Sequence, residues 1–435
     1  MFEMLRVEAK RAVRILEKHE FARVYTHYDV DGISSGAIIA TALLRRGIQF
    51  HLSFLSGLND GVEVEDELVI FADMGSGYPD VISSIDANVI VVDHHFPVGR
   101  IEARREFAHI NPHLAGIDGS YELSASGTAF IFANEVGDNS DLSSLALLGM
   151  IGDKQKISGG NAEIVKKGVE SGHIDEKEGL RMISGSVRDV LRLSLEPYLD
   201  FYSKEEELEE FLERVRINGD REFDELSREE ERRLANAIVL RVLNMNSYPG
   251  VVEDFTGKKF FLKSELVRNA VMMSEIVNAT GRKASQSIGF GICMRDESYL
   301  EKGHELWRKF TVEIHEEIER RRHEVKEGEC IRYLIMEEGS STGPIASVFS
   351  RYLFADRPFV AINIKKDGRV KVSARSNQKL AERVDLAEVM RIAAEKVGGR
   401  GGGHVVAAGA NISADVVDEF VKEVDRLCCT QLGWR

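Results

Sequence analysis

Three short apolar runs constrain the fold of this chain more than any other feature: Arg23-Val24-Tyr25-Thr26, Val69-Ile70-Phe71-Ala72 and Val89-Ile90-Val91-Val92. Each has the length and side-chain content of a buried strand, and each is followed at once by acidic or histidine residues. The followers are His27-Tyr28-Asp29-Val30-Asp31-Gly32, Asp73-Met74-Gly75-Ser76-Gly77 and Asp93-His94-His95-Phe96-Pro97. Helical patterns lie between the runs, so residues 1–195 read as a parallel α/β domain. In open sheets of this kind, ligands bind beyond the carboxyl ends of the strands. Charge delivered there by three strands marks a site.

Chain length and composition limit what that site belongs to. With 435 residues the chain suits about two or three domains, and 43% hydrophobic with 30% charged residues is an ordinary globular balance. No apolar stretch approaches the ~20 residues of a membrane span, and the charged amphipathic N-terminus lacks a signal-peptide pattern, so the expected location is cytoplasmic, with no membrane partner. The cysteines, Cys293, Cys330, Cys428 and Cys429, have no C-x-x-C or Cys/His spacing, which argues against zinc ribbons and disulfide frameworks and suits a reducing compartment. A formal net charge of −15 counts against nonspecific coating of duplex DNA.

From Tyr198 to Leu243 the text turns highly charged and helical, the pattern of solvated helices with one packed face. A second long helix is predicted over Lys302–Lys326. Its Leu306, Phe310, Ile314 and Ile318 recur every four residues, as a domain connector or an interface for self-association or docking. From Cys330 the α/β texture returns, with strands expected at Cys330–Met336, Phe359–Ile364 and Val370–Ala374 and helices at Gly343–Leu353 and Leu386–Lys396. The division expected is 1–195, a helical region 196–328, and a smaller α/β domain 329–435.

His27, Asp29 and Asp31 alternate after a strand, so in extended backbone they point the same way, before a helix beginning near Ser34 and Ser35. Asp73, Asp93, His94 and His95 join them at neighbouring strand ends, and Asp153 is expected at another, after the apolar Leu145–Gly152. So many carboxylates on one rim repel unless cations neutralise them. Mixed aspartate and histidine ligation suits two Mn²⁺ ions, with Mg²⁺ or Co²⁺ as substitutes, better than Ca²⁺. Two such ions promote hydrolysis of phosphoryl esters. Near the other end, Gly401-Gly402-Gly403-His404 reads as a flexible glycine loop whose backbone N–H groups can approach a phosphate. Ser373 and Arg375, at a strand end, add a hydroxyl and a guanidinium.

Taken in order, His27-x-Asp29-x-Asp31-Gly32, Asp73, Asp93-His94-His95 and Asp153 resemble the four successive motifs of the DHH phosphoesterases. Ser373-Ala374-Arg375-Ser376 followed by the glycine-rich stretch resembles their DHHA1 accessory domain. The resemblance implies that His27, Asp29 and Asp73 hold one metal, and that Asp31, Asp73, His94 and Asp153 hold the other. It further implies that His95 faces the substrate phosphate, that Asp93 orients a histidine, and that Ser373, Arg375, Gly401, Gly402, Gly403 and His404 grip the nucleotide. The two domains are expected to close on the substrate. Asn278–Ile292 and Gly343–Ser347 are similar to the archaeal RecJ-like single-strand exonucleases, which implies single-stranded nucleic acid as partner. The charged helices offer a docking surface for a replication or helicase protein or a second copy of the chain, and a nuclease subunit acting mainly as a partner of such a complex is an alternative reading. No counterpart of the OB-fold of bacterial RecJ enzymes is expected after the glycine-rich stretch. Short-oligonucleotide phosphatases are the alternative within the family.

Overall fold

The computed structural model describes residues 2–433, apart from 59–61, 63 and 338–340. The chain forms two compact units: residues 1–177 with 259–310, and residues 178–258 with 311–435. The region read as a separate helical segment therefore contributes to both.

In the first unit, strands β1 (Phe21–His27), β2 (Gln49–Leu55), β3 (Leu68–Ala72), β4 (Asn88–Val92) and β5 (Phe107–Ile110) form one parallel sheet in the order β2-β1-β3-β4-β5. Every residue of β3 is buried, as expected for a central strand covered on both faces. One face packs Val69, Phe71, Val89 and Val91 against Ile82 and Ile85. Helix α1 (Glu3–Leu16) is amphipathic, burying Leu5, Ala9, Ala12, Ile15 and Leu16. Helices α2 (Val30–Arg45), α3 (Ala125–Val136) and α4 (Ser143–Gly152) are apolar nearly all round and almost wholly buried. The 259–310 segment is tied to this unit by an ion network: Arg295 pairs with both Asp141 and Glu265, and Arg45 pairs with Asp141.

Register decides what the sheet presents at its rim. Thr26 pairs with Ala72, Ala72 with Val92, and Val92 with Ile110, so these residues form a row across the sheet. The residues that follow them, His27, Asp73, Asp93 and Asn111, leave the sheet side by side.

The long helix α5 (Leu300–Arg321) starts two residues before the predicted Lys302 and stops five residues early; the chain passes from one unit to the other within it. Phe310, Ile314 and Ile318 are buried within the chain, with Trp307 in place of the half-buried Leu306. The stripe is core, and an interface on it is excluded because its apolar atoms are already covered.

The second unit has a mixed sheet of β6 (Lys326–Glu327), β7 (Arg332–Glu337), β8 (Phe359–Ile364), β9 (Arg369–Arg375), β10 (Arg400–His404) and β11 (Ala407–Ser413), in the order β10-β11-β9-β8-β7-β6. Helices α6 (Leu386–Lys396) and α7 (Val417–Leu432) supply Val389, Met390, Phe420 and Val424 to a core with Val360, Ile362 and Val372. The expected helix at Gly343–Leu353 is an α-helix over Thr342–Val348 that widens into a π-turn at Phe349–Leu353. Contrary to the expectation from cysteine spacing, Cys330 and Cys429 form a disulfide, 99 residues apart in sequence. Spacing carries no sign of it, because only the docking of α7 beside the chain entering β7 brings the two Cα atoms to 5.3 Å, within disulfide reach. Asp425, on the same helix, accepts backbone N–H groups of Glu329, Cys330 and Ile331 at 2.9, 2.7 and 3.1 Å. Among the described residues no helix is long and apolar enough to cross a membrane.

Candidate metal centre

The site begins with the turn out of β1. Asp29 caps α2, accepting the Gly32 N–H at 3.0 Å, so the helix starts at Val30 and not near Ser34. The predicted alternating, extended run of His27, Asp29 and Asp31 is therefore replaced by a cap and a first helical turn. Gly32 is required there, since a Cβ would lie 2.4 Å from the His27 carbonyl oxygen. Asp31 is swung inward and buried, where its carboxylate accepts the N–H groups of Ala125 and Ser126, each at 2.9 Å, at the start of α3.

Asp73 follows β3 with φ of 56°, a left-handed conformation uncommon for a residue with a side chain. Its Oδ2 lies 3.6 Å from His27 Nδ1 and its Oδ1 lies 3.4 Å from His94 Nε2. Asp73 Oδ1 is buried without a hydrogen-bond partner. Asp153 is not at a strand end: it caps the C-terminus of α4.

These residues converge. The ligand atoms of His27, Asp29 and Asp73 lie within 4.8 Å of one another, as do those of Asp31, His94 and Asp153, and those of Asp73, His94 and His95. The donor set fits divalent cations: oxygens and imidazole nitrogens crowd together, and a buried carboxylate oxygen lacks a proton donor. His94 donates from Nδ1 to the Gly119 carbonyl at 2.8 Å, which aims Nε2 at Asp73 and Asp31. Asp93, fully buried, accepts from His95 Nδ1 at 2.8 Å, from the His94 N–H at 2.8 Å and from the Ser76 N–H at 2.9 Å. It orients His95 and leaves the other ring nitrogen free of that bond.

Charge follows from this crowding. Burial and the neighbouring Asp73 push Asp31 up to about 7, against the pull of His94. Burial likewise raises Asp153 to about 6, with Asp73 and Asp29 adding to it and His94 opposing. Burial by itself would lower His27, yet Asp29 and Asp73 raise it to about 11. For His95, burial is again outweighed, by Asp93, and the ring is raised to about 9. Burial opposes ionisation of Asp29 and Asp93, but facing histidines and backbone N–H groups hold both well below the usual carboxylate range.

Several supporting residues carry no sequence signal. Gln155 donates to Asp153 Oδ2 at 3.0 Å and to the Gly119 carbonyl at 2.7 Å, and is itself held by Asn161 at 2.8 Å. Ser76 and Asn111 brace the loop after β4, with Asn111 donating to the His95 carbonyl at 2.9 Å. The helix ending at Arg282 abuts the first motif, where a Cβ on Gly281 would lie 2.2 Å from the Tyr28 carbonyl oxygen, and Arg282 helps to lower Asp29.

The second predicted group lies in the other unit, on one sheet. Gly401 to His404 are not a loop but an edge strand, β10, because α6 packs so close that a Cβ on Gly401 would lie 2.3 Å from the Met390 carbonyl oxygen. Register aligns Ser373, Gly409 and Gly402 in one row, and Arg375, Ala407 and His404 in another. Ser373 is buried and shares a hydrogen bond of 2.7 Å with Thr342 Oγ1, while Arg375 Nη1 donates to the Ala374 carbonyl at 2.9 Å.

Fold and site together define a two-unit α/β protein whose parallel sheet carries a carboxylate–imidazole centre suited to divalent cations. The model of the DHH family, N-terminal domain, matches residues 22–152, and that of the DHHA1 domain matches residues 330–429. The chain is 33% identical over 433 residues to an uncharacterized protein of Methanocaldococcus jannaschii, covering 96% of each. It belongs to the DHH family of metal-dependent phosphoesterases. Its fold is RecJ-like: the Mn²⁺ complex of RecJ from Thermus thermophilus superposes with a TM-score of 0.63 at 19% identity, covering 98% of this chain. The chain spans about half, 55%, of that RecJ. CDC45 from Entamoeba histolytica gives the same TM-score, 0.63, at 12% identity, covering 99% of this chain and 98% of that one.

Proposed function

We propose that this protein is a two-metal phosphodiesterase that removes mononucleotides from the ends of single-stranded DNA or RNA, in replication or repair. The observation that carries the reading is the position of Asp73, grouped with His27 and Asp29 on one side and with its buried, donor-less Oδ1 3.4 Å from His94 Nε2, a member of the Asp31–His94–Asp153 group, on the other. His27, Asp29 and Asp73 would hold one cation, and Asp31, Asp73, His94 and Asp153 the other; Mn²⁺ suits this oxygen and nitrogen set, with Mg²⁺ or Co²⁺ as substitutes. Bound there, such ions supply the positive charge that phosphoryl-ester hydrolysis requires.

The chain's own groups do the rest. Asp93 fixes the His95 ring through Nδ1, so its other nitrogen is available to a phosphate oxygen. Asp31 is held by two backbone N–H groups and Asp153 by Gln155, so the carboxylates are positioned before substrate arrives. In the second unit, Ser373, Arg375, Gly401, Gly402, Gly403 and His404 would contact the nucleotide phosphate. Groups of this kind read charge and backbone, so the activity is expected to tolerate any base sequence.

The test is digestion of end-labelled single-stranded DNA and RNA, of both polarities, with Mn²⁺ or Mg²⁺. Mononucleotides from the first minutes with a descending ladder support the reading. Cleavage of circular strands as fast as linear ones refutes it, and hydrolysis of dinucleotides alone replaces it with an oligonucleotide phosphatase.

A further inference from the structure

The rim of the metal centre exposes apolar side chains on backbone that is otherwise firmly tied. Phe96 directly follows the Asp93-His94-His95 run and is 71% exposed; Leu114 and Tyr121 are each 52% exposed. Phe96 lies on the connection after β4, Leu114 and Tyr121 on that after β5, and the two connections meet at Gly119. Gly119 takes the His94 Nδ1 bond, and a Cβ placed on it would lie 2.1 Å from the His94 carbonyl oxygen and 2.8 Å from His113 Nε2. The Phe96 ring packs edge-on against the His113 ring, with centroids 5.3 Å apart.

Flexibility does not account for this exposure. The His95 carbonyl is held by Asn111, and the Val98 N–H donates to the Ser76 carbonyl at 3.0 Å, so the backbone on either side of Phe96 is pinned. A large ring kept in water on rigid backbone, one residue from His95, has the character of a contact surface. The same loop continues with Arg100, an exposed cation in a chain of net charge −15.

We infer that Phe96, braced by His113, is a stacking platform for a base of the single strand whose phosphate occupies the metal centre. Every base has a π-face, so a platform of this kind grips a strand without reading its sequence, and Arg100 suits an adjoining backbone phosphate. A duplex keeps its bases stacked on each other, so the platform also favours single strands. This inference rests on the phosphodiesterase reading above.

The experiment uses the full chain with Mn²⁺ and two substrates: a single-stranded oligothymidylate, and an abasic strand of equal length. Base–aromatic stacking corresponds to roughly 10- to 100-fold in affinity. Phe96→Ala should raise KM for the base-bearing strand about tenfold, with a much smaller change in kcat and no change on the abasic strand. Phe96→Trp should restore the wild-type KM. Because the ring is exposed, neither change threatens folding. Wild-type behaviour of Phe96→Ala on oligothymidylate, or an equal loss on both substrates, overturns the platform and leaves the phosphodiesterase reading standing. If the wild-type protein cuts neither strand, that reading fails and the platform falls with it.

Discussion

Gly149→Ala gives a sharp test of how the metal centre is built. Gly149 lies inside helix α4, where alanine is ordinarily better than glycine by about 1 kcal/mol. Here the added methyl would sit 2.2 Å from Asp31 Oδ1 and 2.1 Å from Ser126 Oγ, far inside contact distance. Neither neighbour can yield cheaply. Asp31 is buried and held by the Ala125 and Ser126 N–H groups, and Ser126 Oγ donates to the Ala146 carbonyl at 3.0 Å. Overpacking of this kind costs roughly 1–3 kcal/mol. Displacing the carboxylate strands two buried donors, at roughly 1–3 kcal/mol each. These costs exceed the gain in helix propensity, so the substitution should destabilise the protein by roughly 2–8 kcal/mol. It should also weaken cation binding, because Asp31 is moved; disturbed ligand positioning typically costs about 10- to 100-fold. Thermal unfolding without metal, and calorimetric titration with Mn²⁺, measure the two effects separately. Gly77→Ala is the control, as Gly77 is exposed and its Cβ meets nothing within 4 Å. A Gly149→Ala protein at least as stable as wild type, with undiminished Mn²⁺ affinity, would refute the claim that this helix is packed around Asp31.

Asp73→Ala should abolish turnover and lower metal content while leaving a folded protein, because Asp73 belongs to two ligand groups; circular dichroism, metal analysis and the strand-digestion assay check this. Metal loading should release protons and strengthen with rising pH: His27 near 11 and Asp31 near 7 hold protons in the metal-free protein that cations displace, and titrations in buffers of different ionisation enthalpy count them. The raised pKa of Asp31 and Asp153 acts on stability with a definite sign. The folded state binds the more protons between the ordinary carboxylate range and pH ~7, so those two groups make the metal-free protein less stable as pH rises through 4–7, by denaturant titration, and added Mn²⁺ should cancel the trend. Reducing the Cys330–Cys429 bond reopens a loop of 99 residues, worth about 4–5 kcal/mol in chain entropy, so urea melts with and without reductant should separate clearly. His404→Ala and Arg375→Ala should impair substrate handling with both metals retained; loss of metal with intact nucleotide affinity would mean that the roles of the two units are exchanged.

Much of this protein was legible from the chain alone, for local reasons. The three strands of the metal rim are continuous apolar runs, and an acid or histidine next in sequence must emerge where the strand ends, so His27, Asp73 and Asp93 could be placed on one rim from the chain alone. The helix Leu386–Lys396 stands where the sequence reading put it. What tertiary structure alone decided is everything that depends on distant segments meeting. The inward turn of Asp31 needs the N–H groups of Ala125 and Ser126, some 94 residues away. The burial of the Phe310–Ile318 stripe and the Cys330–Cys429 bond depend on packing that periodicity cannot see. Gly401–His404 reads as a loop because glycine has no strand propensity, yet it is a strand because α6 leaves no room for a side chain and β11 offers hydrogen bonds. Sequence specifies the chemistry each segment carries and the period with which it repeats; which buried donor meets which acceptor is set only when the chain closes on itself, because that choice is made by packing between residues far apart along it.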